Sequence, residues 1–376
     1  MLNEDERLNA DEQRNADEQR IADEFPGGHD LLDAYDLLKA LTCLDGGSGD
    51  EGAVRDKLSE TIRPYVDDLR TDATGNLIAF KKGTGSGPRV MLAAHMDEVS
   101  LMVTQVGDMG LLRFRAVGGI DPRILVGKRL KVGPDGLPGV IGTKPVHLQT
   151  ASDRKNAVKV KDLRIDIGAA DKTQAEALVK PGDRATFDYA PVEYGNNKLM
   201  AKALDDRAGC AVLAWLLQKR YAFDVYGCFT VQEEIGLKGA KTASFAVMPD
   251  YALILEGTTC YDVPDTKEHL MSTWLGKGPA LTIMDRAVIS NRPFVDFIVE
   301  TAEREGIPFQ FKQTLSGGTD AGRIQGSGEG VRVATMAVPC RYIHTPVSVM
   351  DRNDFEGMKR LSAAVLTRLP ELFSRT

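Results

Sequence analysis

Along Lys202-Ala-Leu-Asp-Asp-Arg-Ala-Gly209 an acidic pair meets the start of an apolar helical run, which places Asp205 to bridge two metal ions. Other residues of ligand type recur in one pattern, each following a short apolar run of the buried-strand kind. His95 and Asp97 follow residues 89–94, Glu233 and Glu234 follow 226–231, Glu256 follows 251–255, and His344 follows 331–338. Open α/β sheets build their sites past the carboxyl ends of their strands. A pair of hydrolytic metal ions needs a bridging carboxylate, with His and further carboxylates completing each side. The set His95, Asp205, Glu234, Glu256 and His344 meets that need, because three carboxylates plus one hydroxide balance two divalent charges. Oxygen and imidazole donors without thiolate suit Zn, Co or Mn. Glu233, beside Glu234, can point to the other side of the backbone and serve as general base toward a bridging water. Asp97, two residues beyond His95, falls on the same side of an extended segment and can orient the imidazole.

Each of these features also has an ordinary explanation. A lone His after a strand is commonly a loop or core residue, and His29, His147 and His269 are read that way. Adjacent acids such as Asp205 and Asp206 commonly face the dipole at a helix N-terminus, and Glu233-Glu234 alone can be surface charge. The Gly-rich stretch 316–322 could cradle an anion. It lacks the Gly-Lys-Ser/Thr ending of a phosphate loop, so a turn is its default. The residues themselves therefore support a two-metal hydrolase and name no substrate.

The elements that must position these groups read as an α/β chain interrupted by a β-rich insert. At 376 residues and 43% hydrophobic, the chain can bury a substantial core and divides into domains. Residues 1–25 form an acidic, repetitive tail, with nine acidic residues against three basic between Met1 and Glu24. A capping box at Ser48-Gly-Asp-Glu51 opens the second of two helices that precede the first sheet. Thr74-Gly75-Asn76 reads as a hairpin turn. From 100 to 197 short β-like runs alternate with Gly and Pro turns, which predicts a small barrel-like domain inserted between 26–99 and 198–376. A strand over 251–255 is expected to end at Glu256, another spans 309–313, and a closing helix spans 351–369. The net charge of −7 argues against a nucleic-acid partner. Five cysteines without CxxC spacing fit reduced thiols, and no apolar run of about 18 residues or signal-peptide core appears, so a cytoplasmic protein without membrane attachment is expected.

Taken in order, His95-Met-Asp97, Ala203-Leu-Asp-Asp-Arg-Ala-Gly209, Val231-Gln-Glu-Glu-Ile-Gly236, Leu255-Glu-Gly-Thr-Thr259 and Ile343-His-Thr-Pro346 resemble the motif set of the tetrahedral (TET) co-catalytic metallo-aminopeptidases. That family contains glutamyl, leucyl and deblocking aminopeptidases, and some members carry the label endoglucanase. The resemblance covers residues 29 to 369. It implies a mixed-sheet, three-layer metallopeptidase domain whose inserted β domain mediates dimerisation, with dimers assembling into a homododecamer that admits short peptides. It also implies two metal ions per subunit, His95 and Glu256 serving one, Glu234 and His344 the other, and Asp205 both. Glu233 becomes the general acid/base and Asp97 the residue that orients a ligand. Glu256 stands where many members carry Asp, and the acidic repeat before Pro26 has no counterpart in the family pattern.

The expected activity is removal of N-terminal amino acids from short peptides. Another metal-dependent amide hydrolase, a polysaccharide hydrolase working with two carboxylic acids, and a non-catalytic assembly protein remain as alternatives. The preferred N-terminal residue is not legible, although Gly318-Thr319-Asp320 is expected to lie near that choice.

Overall fold

The structure, a computed structural model, describes residues 32–375. The acidic repeat of 1–25 and His29 lie outside the described residues. Two helices, α1 (Ala34–Thr42) and α2 (Gly52–Ile62), precede the first strands. Asp33 caps α1 by accepting the amides of Tyr35 and Asp36. The capping box expected at α2 does not form. Glu51 occupies its N-cap without a side-chain cap bond, because Glu51 and Ser48 both reach distant partners instead.

Strands β1 (Asp68–Thr71) and β2 (Leu77–Lys81) form the hairpin around Thr74-Gly75-Asn76, with Gly75 at φ +105°. The buried strand β3 (Val90–His95) follows. Then come β4 (Ser100–Val106), β5 (Leu112–Val117), β6 (Arg129–Val132), β7 (Leu137–Gly142), β8 (Arg164–Asp166) and β9 (Arg184–Phe187). These close into a barrel in the order β4-β5-β8-β7-β6-β9, carrying the short helices α3 (Ala151–Lys155) and α4 (Lys172–Leu178). The barrel has its own core around Leu101, Leu112, Phe114, Leu130, Ile165 and Phe187.

The chain then returns to the main sheet through β10 (Val192–Tyr194) and β11 (Lys198–Ala201). It continues with α5 (Leu204–Leu216), β12 (Val225–Thr230), α6 (Lys238–Val247) and β13 (Tyr251–Cys260). Next are β14 (Ala280–Thr282), α7 (Arg292–Arg304), β15 (Gln310–Phe311), α8 (Ala321–Ile324), β16 (Arg332–Arg341), β17 (Ser348–Asp351) and α9 (Arg352–Phe373). The mixed sheet runs β1-β2-β12-β3-β13-β16-β17-β11-β10, with β14 on β16 and β15 on β14. Its central strands β12, β3, β13 and β16 are mutually parallel.

Alternation along β3 explains the three layers. Val90, Leu92 and Ala94 join the core beneath α1, α2, α5, α7 and α9, whereas Met91 and Ala93 face the opposite core with α6 and α8. Two elements differ from the sequence expectation. β13 runs on to Cys260, because it stays paired with β16 through Cys260 and Arg341, so Glu256 sits inside a strand. β15 spans only Gln310–Phe311, an edge strand whose one neighbour is the three-residue strand β14. All five cysteines are free, and among the described residues no helix is long and apolar enough to cross a membrane.

Candidate metal centre

A gap in the sheet makes room for the site. β13 pairs with β3 only as far as Ile254 opposite Ala93, and the strands part before His95 and Glu256. The N-terminus of α5 enters this gap. Asp206 Oδ2 accepts the His95 amide at 3.1 Å, replacing the ladder bond β3 has lost, and its Oδ1 accepts the Gly209 amide at 2.8 Å. Asp206 therefore seats β3 against α5, while Asp205 is free to face the opening. Asp205 and Asp206 have non-helical backbone angles, and the peptide joining them is cis. Asp205 packs directly on Gly257, where a Cβ would stand 2.9 Å from its Cα.

Two ligand clusters share Asp205. One donor atom from each of His95, Asp205 and Glu256 lies within 4.8 Å of the others, and the same holds for Asp205, Glu234 and His344. The two carboxylate oxygens divide between them: Oδ1 is 3.2 Å from His95 Nε2, and Oδ2 is 3.5 Å from His344 Nε2. Glu256 Oε2 lies 3.5 Å from His95 Nε2 and Glu234 Oε1 lies 3.4 Å from His344 Nε2.

Both imidazoles are oriented through Nδ1. His95 Nδ1 lies 3.0 Å from the Asp97 carbonyl and His344 Nδ1 lies 3.1 Å from the Gly119 carbonyl. A carbonyl only accepts, so each Nδ1 carries a proton and each Nε2 faces the carboxylates, pairing with them when protonated and offering its lone pair when a cation takes the proton's place. The carboxylate of Asp97, whose Oδ1 stands 3.5 Å from His95 Nδ1, has further partners. It accepts the Glu233 amide on Oδ1 at 2.9 Å, and on Oδ2 the Glu234 amide at 3.2 Å and the Ser48 hydroxyl at 2.7 Å. Asp97 thus orients His95 mainly through its backbone and holds the Glu233-Glu234 segment through its side chain.

The electrostatics fit divalent cations. Burial, with repulsion among the neighbouring acids, pushes the Glu233 and Glu256 carboxyls well above the usual range and Glu234 to about 7, against the opposing pull of the histidines. Burial alone would lower His344, yet Asp205 and Glu234 hold it at about 9. Glu256 Oε2 is buried without a hydrogen-bond partner. Acids crowded together, a carboxylate oxygen without a hydrogen-bond partner and two imidazole nitrogens facing the acids form a donor set suited to divalent cations. Cys210 Sγ donates to the His95 carbonyl and so lies outside that set.

Several contributors were not legible in the sequence. Gly119 belongs to the segment after β5 and acts through its carbonyl, which leaves no residue-type signal. Asp320 lies in the Gly-rich stretch and packs inward. It is buried, bonds the Thr230 hydroxyl at 2.5 Å and is pushed by burial to about 6. His147 and His269 show no part in either cluster.

A profile of the M42 glutamyl aminopeptidase family matches residues 75–361. The lysyl aminopeptidase of Pyrococcus furiosus is 31% identical over 323 residues, covering 84% of this chain and 91% of the relative. An aminopeptidase from the archaeon Desulfurococcus kamchatkensis superposes with a TM-score of 0.87 at 37% identity, over 91% of this chain and 97% of its own. The TET1 peptidase of Pyrococcus horikoshii, which can assemble into a tetrahedron or a large octahedral shell, gives a TM-score of 0.79 at 36% identity, over 89% and 99%. The chain therefore belongs to the M42 glutamyl aminopeptidase family and is a hydrolase of the aminopeptidase class.

Proposed function

We propose that the protein removes N-terminal amino acids from short peptides by a two-metal mechanism. His95 and Glu256 hold one divalent ion, Glu234 and His344 the other, and Asp205 both. The observation that carries this reading is the division of Asp205, one oxygen toward each cluster. Zn, Co or Mn suits the nitrogen and oxygen donors. Bound there, such a pair supplies Lewis acidity and makes a water acidic enough to ionise near neutral pH.

Glu233 takes the proton from the attacking water and returns it to the leaving amine nitrogen as the peptide C–N bond breaks. A carboxyl whose affinity for protons is raised by burial is suited to carrying that proton between the two steps. Asp97 fixes the backbone from which Glu233 projects. Self-association into a homododecamer built from dimers, with the barrel as dimerisation domain, is supported by the likeness to a solved peptidase that forms a dodecamer and to the shell-forming Pyrococcus horikoshii peptidase. A cytoplasmic location is supported by the free cysteines.

Release of free amino acid from short peptides bearing Glu, Leu or Lys at the N-terminus, with and without chelator and added Co or Zn, tests the reading. Chelator-sensitive cleavage supports it and ranks the N-terminal residues. No cleavage with two metals bound per chain overturns it in favour of another amide hydrolase, and absence of bound metal overturns its premise. Light scattering of the purified chain tests the dodecamer.

A further inference from the structure

The segment that carries Glu233 and Glu234 belongs to no strand or helix, since β12 ends at Thr230 and α6 begins at Lys238. Gln232 has φ +55°, the left-handed region disfavoured for any residue with a Cβ, so its conformation depends on outside support. That support is continuous. Four successive amides are each accepted by a side-chain oxygen: Val231 by Asn76 Oδ1 at 3.0 Å, Gln232 by Glu51 Oε1 at 3.1 Å, and Glu233 and Glu234 by Asp97.

One loop, residues 45–51, completes this cradle. Ser48 donates to Asp97 Oδ2 at 2.7 Å, and Glu51 Oε1 also accepts the Gly49 amide at 2.7 Å, which fixes its direction. Both side chains are buried. The barrel holds the loop in turn. Arg184 donates twice to the Ser48 carbonyl, at 2.7 and 3.2 Å, and Thr186 donates to Asp45 at 2.8 Å.

We propose that Glu51 and Ser48 are positioning residues for Glu233, acting through the backbone of residues 232–234, and that Arg184 of the barrel holds the loop that carries them. This rests on the aminopeptidase reading, because it requires Glu233 to be the base. Reacting groups tolerate little displacement, so a slackened cradle lowers kcat before it touches peptide binding.

The test compares the metal-loaded full chain with Glu51→Ala, Glu51→Gln and Ser48→Ala, reading kcat, KM, bound metal and amide exchange of residues 228–240. The Ala variants are expected to lose about 10- to 100-fold in kcat, the usual cost of removing a group that orients a catalytic residue, with KM and metal content held. Glu51→Gln keeps an accepting oxygen and recovers most of that loss. Exchange in 231–237 speeds up in Glu51→Ala and stays slow in Glu51→Gln. Wild-type kcat in the Ala variants, equal losses in Ala and Gln, or a loss that tracks metal content overturns the proposal. If Glu51→Ala does not fold, Ser48→Ala carries the kinetic arm. A wild-type chain that releases no amino acid overturns the functional reading instead, and exchange alone then decides whether Glu51 holds the segment.

Discussion

His344 Nδ1 donates to the carbonyl oxygen of Gly119 at 3.1 Å, across 225 residues of sequence. A residue of the β-rich insert thus orients an imidazole that belongs to the main sheet. Gly118 adds to this contact, since a Cβ there would meet Glu234 at 3.4 Å. The insert therefore borders the candidate metal centre and is also a candidate for assembly. Substituting Gly119→Ala would place a Cβ 3.2 Å from His344 Nδ1 and turn the ring. Metal content is expected to fall toward one ion per chain, with affinity at the His344 side weakened about 10- to 100-fold. Elemental analysis after stepwise chelation reads it.

Glu233→Gln removes the proposed base and leaves both candidate ligand clusters whole. Turnover should fall by at least about 100-fold, the lower end for general acid–base catalysis, while bound metal stays unchanged. Near-normal release of amino acid in that variant would sink the assignment of Glu233.

Gly257→Ala probes the seat of Asp205. The new Cβ would stand 2.9 Å from the Cα and Cβ of Asp205 and 3.0 Å from its Oδ1. Backbone cannot yield as a flexible side chain does, so about 1–3 kcal/mol of stability should be lost, measured by urea unfolding. Both metals should load poorly, because Asp205 faces both clusters.

Asp354 gives a pH dependence remote from the centre. It accepts the amides of Gly276 and Gly278, each at 2.7 Å, and burial pushes its carboxyl from 3.8 to about 6. Between those values the folded chain keeps a proton the unfolded chain has lost, so this group's contribution falls as pH rises through that window. The wild-type advantage over Asp354→Asn should shrink by about 2 kcal/mol between about pH 4 and pH 7, as read from unfolding at each pH. A difference independent of pH would refute it.

Particular residues show what the sequence by itself determined. Every candidate ligand except Asp205, which heads α5, follows or interrupts an apolar run, and such runs become the central parallel strands because only a sheet covered on both faces can bury them. That placed His95, Glu233, Glu234, Glu256 and His344 at one end of one sheet. The texture of residues 100–197 likewise announced a β-rich insert. Tertiary structure decided how those residues meet. The reason Asp205 and not Asp206 faces both clusters lies in the tertiary structure, where β3 and β13 part, leaving the His95 amide for Asp206 and the opening for Asp205. Ser48 and Glu51 fit a local capping box as well as they fit their real partners. In the folded chain Ser48 donates to Asp97 and Glu51 accepts the Gln232 and Gly49 amides, partners that only the tertiary structure brings within reach. Gly119 was beyond reach of any sequence pattern, since it acts through a carbonyl that every residue carries.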